Sequence, residues 1–190
     1  VTGIKRAVFS NEAGLGSAAF VHAAAKTDEP AREGIVAMIG PFIDTVVICT
    51  MTALVCMVTG AYADPNYADS GVAMTAAAFE SFFPGARYVL SIAVFLFAYS
   101  TMISWSYYGE RAWEYLFGTS TILVYRSIFV TFVFIGSVSS LSNVINFSDM
   151  MILGMAFPNI IGGIILSPQI KEQLQNYWGR LQRGEMQRYK

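Results

Sequence analysis

Long apolar runs separated by short polar clusters set the pattern of this chain. About 20 mainly apolar residues suffice to cross the hydrocarbon core of a membrane as a helix. Residues 34–60, 88–109, 121–142 and 144–167 each meet that length. The first run holds one charge, Asp44, the second none, the third Arg126 and the fourth Asp149. The pattern predicts four membrane-spanning helices and an all-α membrane protein. Pro158 with Gly162 and Gly163 predicts a kink in the fourth. Residues 1–26 are different. They are short, rich in Ala and Gly, and carry Lys5, Arg6 and Glu12, too poor a pattern for a complete span and readable as half of a broken one.

The polar clusters punctuate the spans. Asp28-Glu29-Pro30 places acid and a first-turn proline at the start of the first full span. Asp64-Pro65-Asn66 is a turn signal in a long loop, 61–87. Within that loop, Met74 to Phe83 predicts a short helix at the membrane surface, ended by Pro84-Gly85. The tail, 168–190, mixes Lys, Arg and Gln with Tyr177 and Trp178. It reads equally as an amphipathic helix at the headgroups and as a solvated tail.

Composition narrows the class. Only 13% of the 190 residues are charged, against roughly 25% in an average soluble domain. A net charge of −1 gives no basis for a nucleic-acid partner. Cys49 and Cys56 share one apolar run and read as small buried hydrophobes. The chain enters mid-pattern, so it is expected to be a piece of a longer protein. Basic residues then orient it. Lys26 and Arg32, Arg111 and Arg126, and the tail's Lys171, Arg180, Arg183, Arg188 and Lys190 fall on one side if the spans alternate. The opposite side receives Asp64, Asp69, Glu80 and one Arg in the long loop, and an uncharged loop near 136–143. The C-terminus is therefore expected in the cytoplasm. Lys5 and Arg6 do not fit this scheme.

Polar residues at membrane depth are the candidates for function. Asp44 sits near mid-span beside Pro41 and reads either as a paired structural ion or as a proton or cation relay. Asp149 lies nearer a span end and reads as structural. His22, the lone histidine, reads as packing. Ser100, Thr101, Ser104 and Trp105 share one helical face. Their hydroxyls suit a hard cation such as Na⁺, but Ser and Thr also join membrane helices, and the residues alone favour that packing role. Phe9-Ser10-Asn11-Glu12-Ala13-Gly14-Leu15-Gly16-Ser17-Ala18 sets two glycines, polar groups and an acid between apolar flanks. Irregular backbone at membrane depth occurs where it is buried in protein or lines a cavity. Transporters use such breaks to offer N–H groups to a substrate carboxylate and carbonyls to a cation. A glycine-bearing loop is the other reading.

The run GIKRAVFSNEAGLGSAAFVHAAAKTDEPAREGIVAMIGPFIDTVVICTMTALV resembles the sodium:alanine symporter family, the alanine or glycine:cation symporters. FAYSTMISWSYYGERAWEYLFG is similar to that family's eighth helix. The resemblance covers nearly the whole chain, most weakly after Pro168. It implies a LeuT-type architecture of two inverted five-helix repeats, with residues 1–26 as the second half of helix six and the rest running to helix ten. It implies a plasma-membrane symporter, not an enzyme, that carries alanine or glycine into the cell with Na⁺. Its partners would be the bilayer and the N-terminal half of the same protein, with no cofactor besides the coupling ion. Ser10, Asn11, Gly14 and Gly16 would bind substrate, together with Thr101 and Trp105, the last limiting side-chain size. Ser100 and Thr101 would bind sodium with residues of helix one, absent from this chain. Ala19-Phe20-Val21 departs from the proline-containing run expected after Gly16-Ser17-Ala18. Alternatives are proton-coupled amino-acid transport, a cation channel lined by Ser, Thr and Asp44, and a membrane enzyme using Glu12 and His22, for which no metal or nucleophile constellation is found.

Overall fold

The computed structural model describes residues 2–67 and 70–186. Asp69, Arg188 and Lys190, used in the charge pattern above, lie outside the described residues, as does the end of the tail. The described elements are all helical, as backbone in lipid requires when no water can satisfy its N–H and C=O groups. They are α1 (Thr2–Asn11), α2 (Ser17–His22), α3 (Pro30–Val58), α4 (Gly71–Glu80), α5 (Ala86–Phe117), α6 (Ile122–Val138) and α7 (Leu141–Gln182). Short 3₁₀ turns at Ala61–Ala63, Pro65–Tyr67 and Thr119–Thr121 lie between them. Four helices are long and apolar enough to cross a membrane: α3, α5, α7, and α6 together with the 3₁₀ turn before it. Large apolar side chains such as Ile92, Phe95, Phe97 and Ile165 stand exposed along them. Such surface suits contact with acyl chains or with further protein.

The helix ends follow from local chemistry. Pro30 occupies the first turn of α3, where its missing N–H is no loss. Pro41 is followed by a π-helical stretch, Phe42–Ile48, that carries Asp44. Widened turns of this kind accommodate an interrupted backbone ladder. The Thr45 hydroxyl lies 3.5 Å from the Asp44 carboxylate there. α4 starts three residues before the sequence pattern suggests, because the Ser70 hydroxyl accepts from the Ala73 N–H. It stops at Glu80, whose carboxylate turns to the next helix. The backbone N–H groups of Gly85 and Arg87 donate to it at 3.0 and 2.9 Å. These two bonds, Arg87's first, hold the Glu80 carboxyl below its ordinary value of 4.5. Glu80 thus caps the amino end of α5 from outside the helix.

α5 runs eight residues beyond the apolar stretch, to Phe117, because Arg111 and Glu114 pair one turn apart at 2.5 Å. Gly118, at φ 79°, ends it. α7 continues through both Pro158 and Pro168, so no backbone break separates a fourth span from the tail at residue 168. Pro168 cannot donate to the Ile164 carbonyl, but the Ser167 hydroxyl does, at 2.8 Å. A freed backbone acceptor in a membrane helix is re-satisfied in this way.

The chain divides into two compact units, Val1–Phe42 with Thr131–Lys190, and Ile43–Val130. In the second unit, Cys56 is buried and its Sγ lies 4.0 Å from the Thr75 hydroxyl of α4, whereas Cys49 is exposed, against the expectation that both are buried. The start of α6 is fastened to α5. Arg126 forms a two-pronged pair with Glu110, at 2.8 and 3.0 Å. Tyr125 donates to the Ser106 carbonyl at 3.1 Å, and the Trp113 indole N–H donates to Thr121 at 2.9 Å.

In the first unit, α7 is tied to the amino-terminal segment at three levels. Asp149, 4% exposed, receives both Lys5 and Arg6 at 2.6 Å. This pairing accounts for two basic residues that the charge pattern leaves unplaced. Asn159 reaches the segment between α1 and α2. Arg180 forms a two-pronged pair with Glu29 at 2.7 and 2.6 Å. The Arg180 bond holds the Glu29 carboxyl below its ordinary 4.5. Glu29 gains a cation on folding, so this contribution is present above pH 4.5 and is lost as pH falls through the lowered value. The melting difference between wild-type protein and Glu29→Gln is therefore expected to be full at neutral pH and to vanish in strong acid. A difference independent of pH would exclude the ion pair as its source.

Candidate functional site

The helix begun at Thr2 stops at Asn11 and resumes at Ser17. Its last regular bond runs from the Glu12 N–H to the Val8 carbonyl, at 3.0 Å. The Asn11 side chain then accepts from the Ala13 N–H at 2.9 Å, a local turn that competes with helix continuation. Glu12 adopts φ 55°, uncommon outside glycine, and Gly14 and Gly16 adopt φ 83° and 92°. Three left-handed residues within five positions carry the chain out of one helix and into the next. The glycines take this backbone without strain; Glu12 alone carries a cost, and non-glycine residues held left-handed cluster at functional sites.

The break is braced from inside and outside. The fully buried Ser17 hydroxyl donates to the Glu12 carboxylate at 2.5 Å. Leu15, 1% exposed, anchors the middle. Asn159 of α7 donates its amide to the Gly14 carbonyl at 2.9 Å. A Cβ at Gly16 would lie 3.0 Å from the Asn159 Oδ1, so a larger residue there would require Asn159 to shift by a few tenths of an ångström. After the break, His22 Nδ1 lies 2.6 Å from Glu33 Oε1 of α3. The lone histidine is thus paired with a carboxylate, which a packing role does not describe.

Of the residues singled out in this segment, Asn11, Gly14 and Gly16 form the turn itself, and Ser10 lies exposed on the last turn of α1. The other group belongs to the second unit. On α5, Ser100 and Thr101 are exposed and Trp105 is half-buried. Ser100 donates to the Phe97 carbonyl and Ser104 to the Ser100 carbonyl, both at 3.0 Å. These bonds use the hydroxyl protons within the helix and leave oxygen lone pairs as acceptors. The Trp105 ring meets Tyr108 edge-on at 5.7 Å. Among the described residues no group of three His, Cys, Asp or Glu gathers to hold a metal. Any cation here would rely on hydroxyl and carbonyl oxygens.

The sequence matches one family from end to end, along residues 1–190, and that family is described as the sodium:alanine symporter family. The chain belongs to it. Among curated relatives of the family, the sodium/alanine symporter AgcS of Methanococcus maripaludis is 49% identical over 166 residues, 87% of this chain and 37% of that protein. An uncharacterized transporter of Haemophilus influenzae is 38% identical over 95% of this chain and 40% of its own length. A probable sodium/glutamine symporter, GlnT of Bacillus subtilis, is 32% identical over 96% of this chain and 38% of its length. The chain therefore spans about two fifths of the relatives it matches. This is a family of transporters, not of enzymes.

Asn159, Asp149 with Lys5 and Arg6, and the Ser17–Glu12 bond are contributions to this region that sequence reasoning did not find. One signal was available: between Asp149 and Lys171 no residue is charged, and Asn159 places an amide midway along that stretch, ten residues before the next one, Gln169.

Proposed function

We propose that the full-length protein is a sodium-coupled symporter that carries a small amino acid, alanine or glycine, into the cell across the plasma membrane, with the C-terminus in the cytoplasm. The observation that carries this reading is the glycine-bearing helix break at Glu12–Gly16 in a chain that matches the sodium:alanine symporter family throughout. The LeuT-type arrangement of inverted repeats belongs to the same proposal, with the present chain supplying the later helices and the N-terminal half of the protein the rest. The break offers backbone groups outside any helical ladder, and Ser10, Asn11, Gly14 and Gly16 are assigned to the amino acid. Thr101 and Trp105 are assigned to the substrate side chain, and Ser100 and Thr101 to sodium together with residues of the first repeat. Coupling requires that ion and amino acid each bind the two transport states with different affinity.

Uptake of labelled alanine or glycine by the full-length protein in vesicles tests the proposal. Uptake is expected to collapse when sodium is replaced by choline at constant pH. Equal uptake without sodium and without a proton gradient overturns the symport reading, and uptake that follows the proton gradient alone transfers it to H⁺. Thr101→Ala is expected to weaken apparent sodium affinity about tenfold, the loss of one ligand contact. Unchanged affinities for both sodium and substrate return the hydroxyl stripe to helix packing.

A further inference from the structure

We infer that Asn159 is a positioning residue for the broken segment: its side-chain amide fixes the Gly14 carbonyl, and so sets the orientation in which the break meets its ligand. The inference rests on the reading of the break as ligand-binding. Two independent observations carry it. The Asn159 Nδ2 donates to the Gly14 oxygen at 2.9 Å across 145 positions of sequence. The absence of a side chain at Gly16 then admits the rest of the same group, since a Cβ there would stand 3.0, 3.1 and 3.3 Å from Asn159 Oδ1, Cγ and Cβ. One glycine supplies the acceptor and the other the room. Gly14 itself has open space where a Cβ would be, whereas at Gly16 a Cβ would crowd Asn159 in addition to meeting an unfavourable backbone angle.

The chemistry follows from the carbonyl's two lone pairs. Asn159 engages one of them, which leaves the other on a defined line toward a donor or cation. Without the amide, the φ 83° peptide at Gly14 is free to turn, since glycine tolerates either hand. The binding geometry must then be ordered at the moment of binding, and ordering lost freedom weakens apparent affinity. Asn159 also follows Pro158 directly, so the α7 backbone has no N–H at the preceding position to bond back to Gly154. The fixed points on either side are distant: Asp149 lies about 15 Å and Arg180 about 31 Å along α7 from Asn159 at 1.5 Å per residue.

The test uses full-length protein with Asn159→Leu, which keeps the size and removes the donor, and Asn159→Ala. Both apparent KM for the amino acid and half-saturating sodium are measured in vesicles, normalised to folded protein counted by gel filtration. The expected result is a KM raised about tenfold, one hydrogen bond's worth, with maximal rate within about twofold. Purified protein should show the same loss in amino-acid binding without transport. A merely structural role would lower the amount of folded protein and leave KM alone. Values of KM and sodium affinity within twofold of wild type in either folded variant overturn the inference, and so does failure of both variants to fold. Wild-type protein that shows no sodium-dependent uptake condemns the transport reading instead, an outcome visible before any variant is compared.

Discussion

Gly16→Ala is expected to reduce sodium-dependent uptake by the full-length protein to less than about a tenth, while Gly14→Ala leaves a measurable fraction. Both positions have positive φ, 92° and 83°. An L residue there costs about 1–2 kcal/mol in each variant. Only Gly16 adds a steric term, because its new methyl would press on Asn159 at 3.0 Å, while nothing lies within 4 Å of a methyl at Gly14. The two substitutions therefore share one cost and differ in the other. Adding Asn159→Ala to Gly16→Ala should remove most of the crowding, so the melting temperature of the double variant is no lower than that of Gly16→Ala alone. The same addition to Gly14→Ala should lower it further. Equal uptake in the two single variants would show that backbone angle alone decides the matter and that Asn159 is not pressed against the break.

The second large effect is expected at Gly109→Ala, one turn along α5 from Trp105. A Cβ at Gly109 would lie 2.1 Å from the Tyr125 hydroxyl and 2.8 Å from its Cζ. Tyr125 cannot simply swing aside. Its ring packs near Trp113 at 5.8 Å and Phe129 at 6.1 Å, and its hydroxyl donates to Ser106. Overpacking of this kind costs about 1–3 kcal/mol, and the lost hydrogen bond about 1 more. The variant should melt several degrees below wild type in detergent. Tyr125→Phe alone loses the bond, and it also removes the atom that the alanine would strike first. The double variant should therefore be less unstable than the two single losses added together. Strict additivity would mean that Tyr125 does not occupy this place against Gly109.

The four apolar helices were legible because hydropathy records the solvent around a helix directly. Their ends were less so. The extension of α5 depends on Arg111 and Glu114 pairing beyond the last apolar turn, and that of α7 on Ser167 answering for Pro168. Each is a polar compensation where composition suggests an end. The break was legible for the opposite reason, since Gly14 and Gly16 are intrinsically permissive residues within a polar cluster. What holds the break was hidden. Lys5, Arg6 and Gly14 meet α7 residues more than 140 positions away, and nothing local in a sequence marks such a pair. His22 illustrates the same limit, because Glu33 lies on the next helix. The hydroxyl stripe of α5 remains as the sequence left it, one face of one helix.

The length of α7 has a mechanical consequence. Its 42 residues would extend about 63 Å if straight, at 1.5 Å per residue, roughly twice the 30 Å thickness of a hydrocarbon core. Asp149 grips the helix near one end, Asn159 nearer its centre and Arg180 close to the other. A lever pivoting at Asn159 through about 10° would carry Arg180 sideways by about 5 Å and take Glu29 with it, while Asp149 moved about half as far in the opposite direction. Such a rotation would be felt at the entrance to α3, where Glu29 immediately precedes the helix.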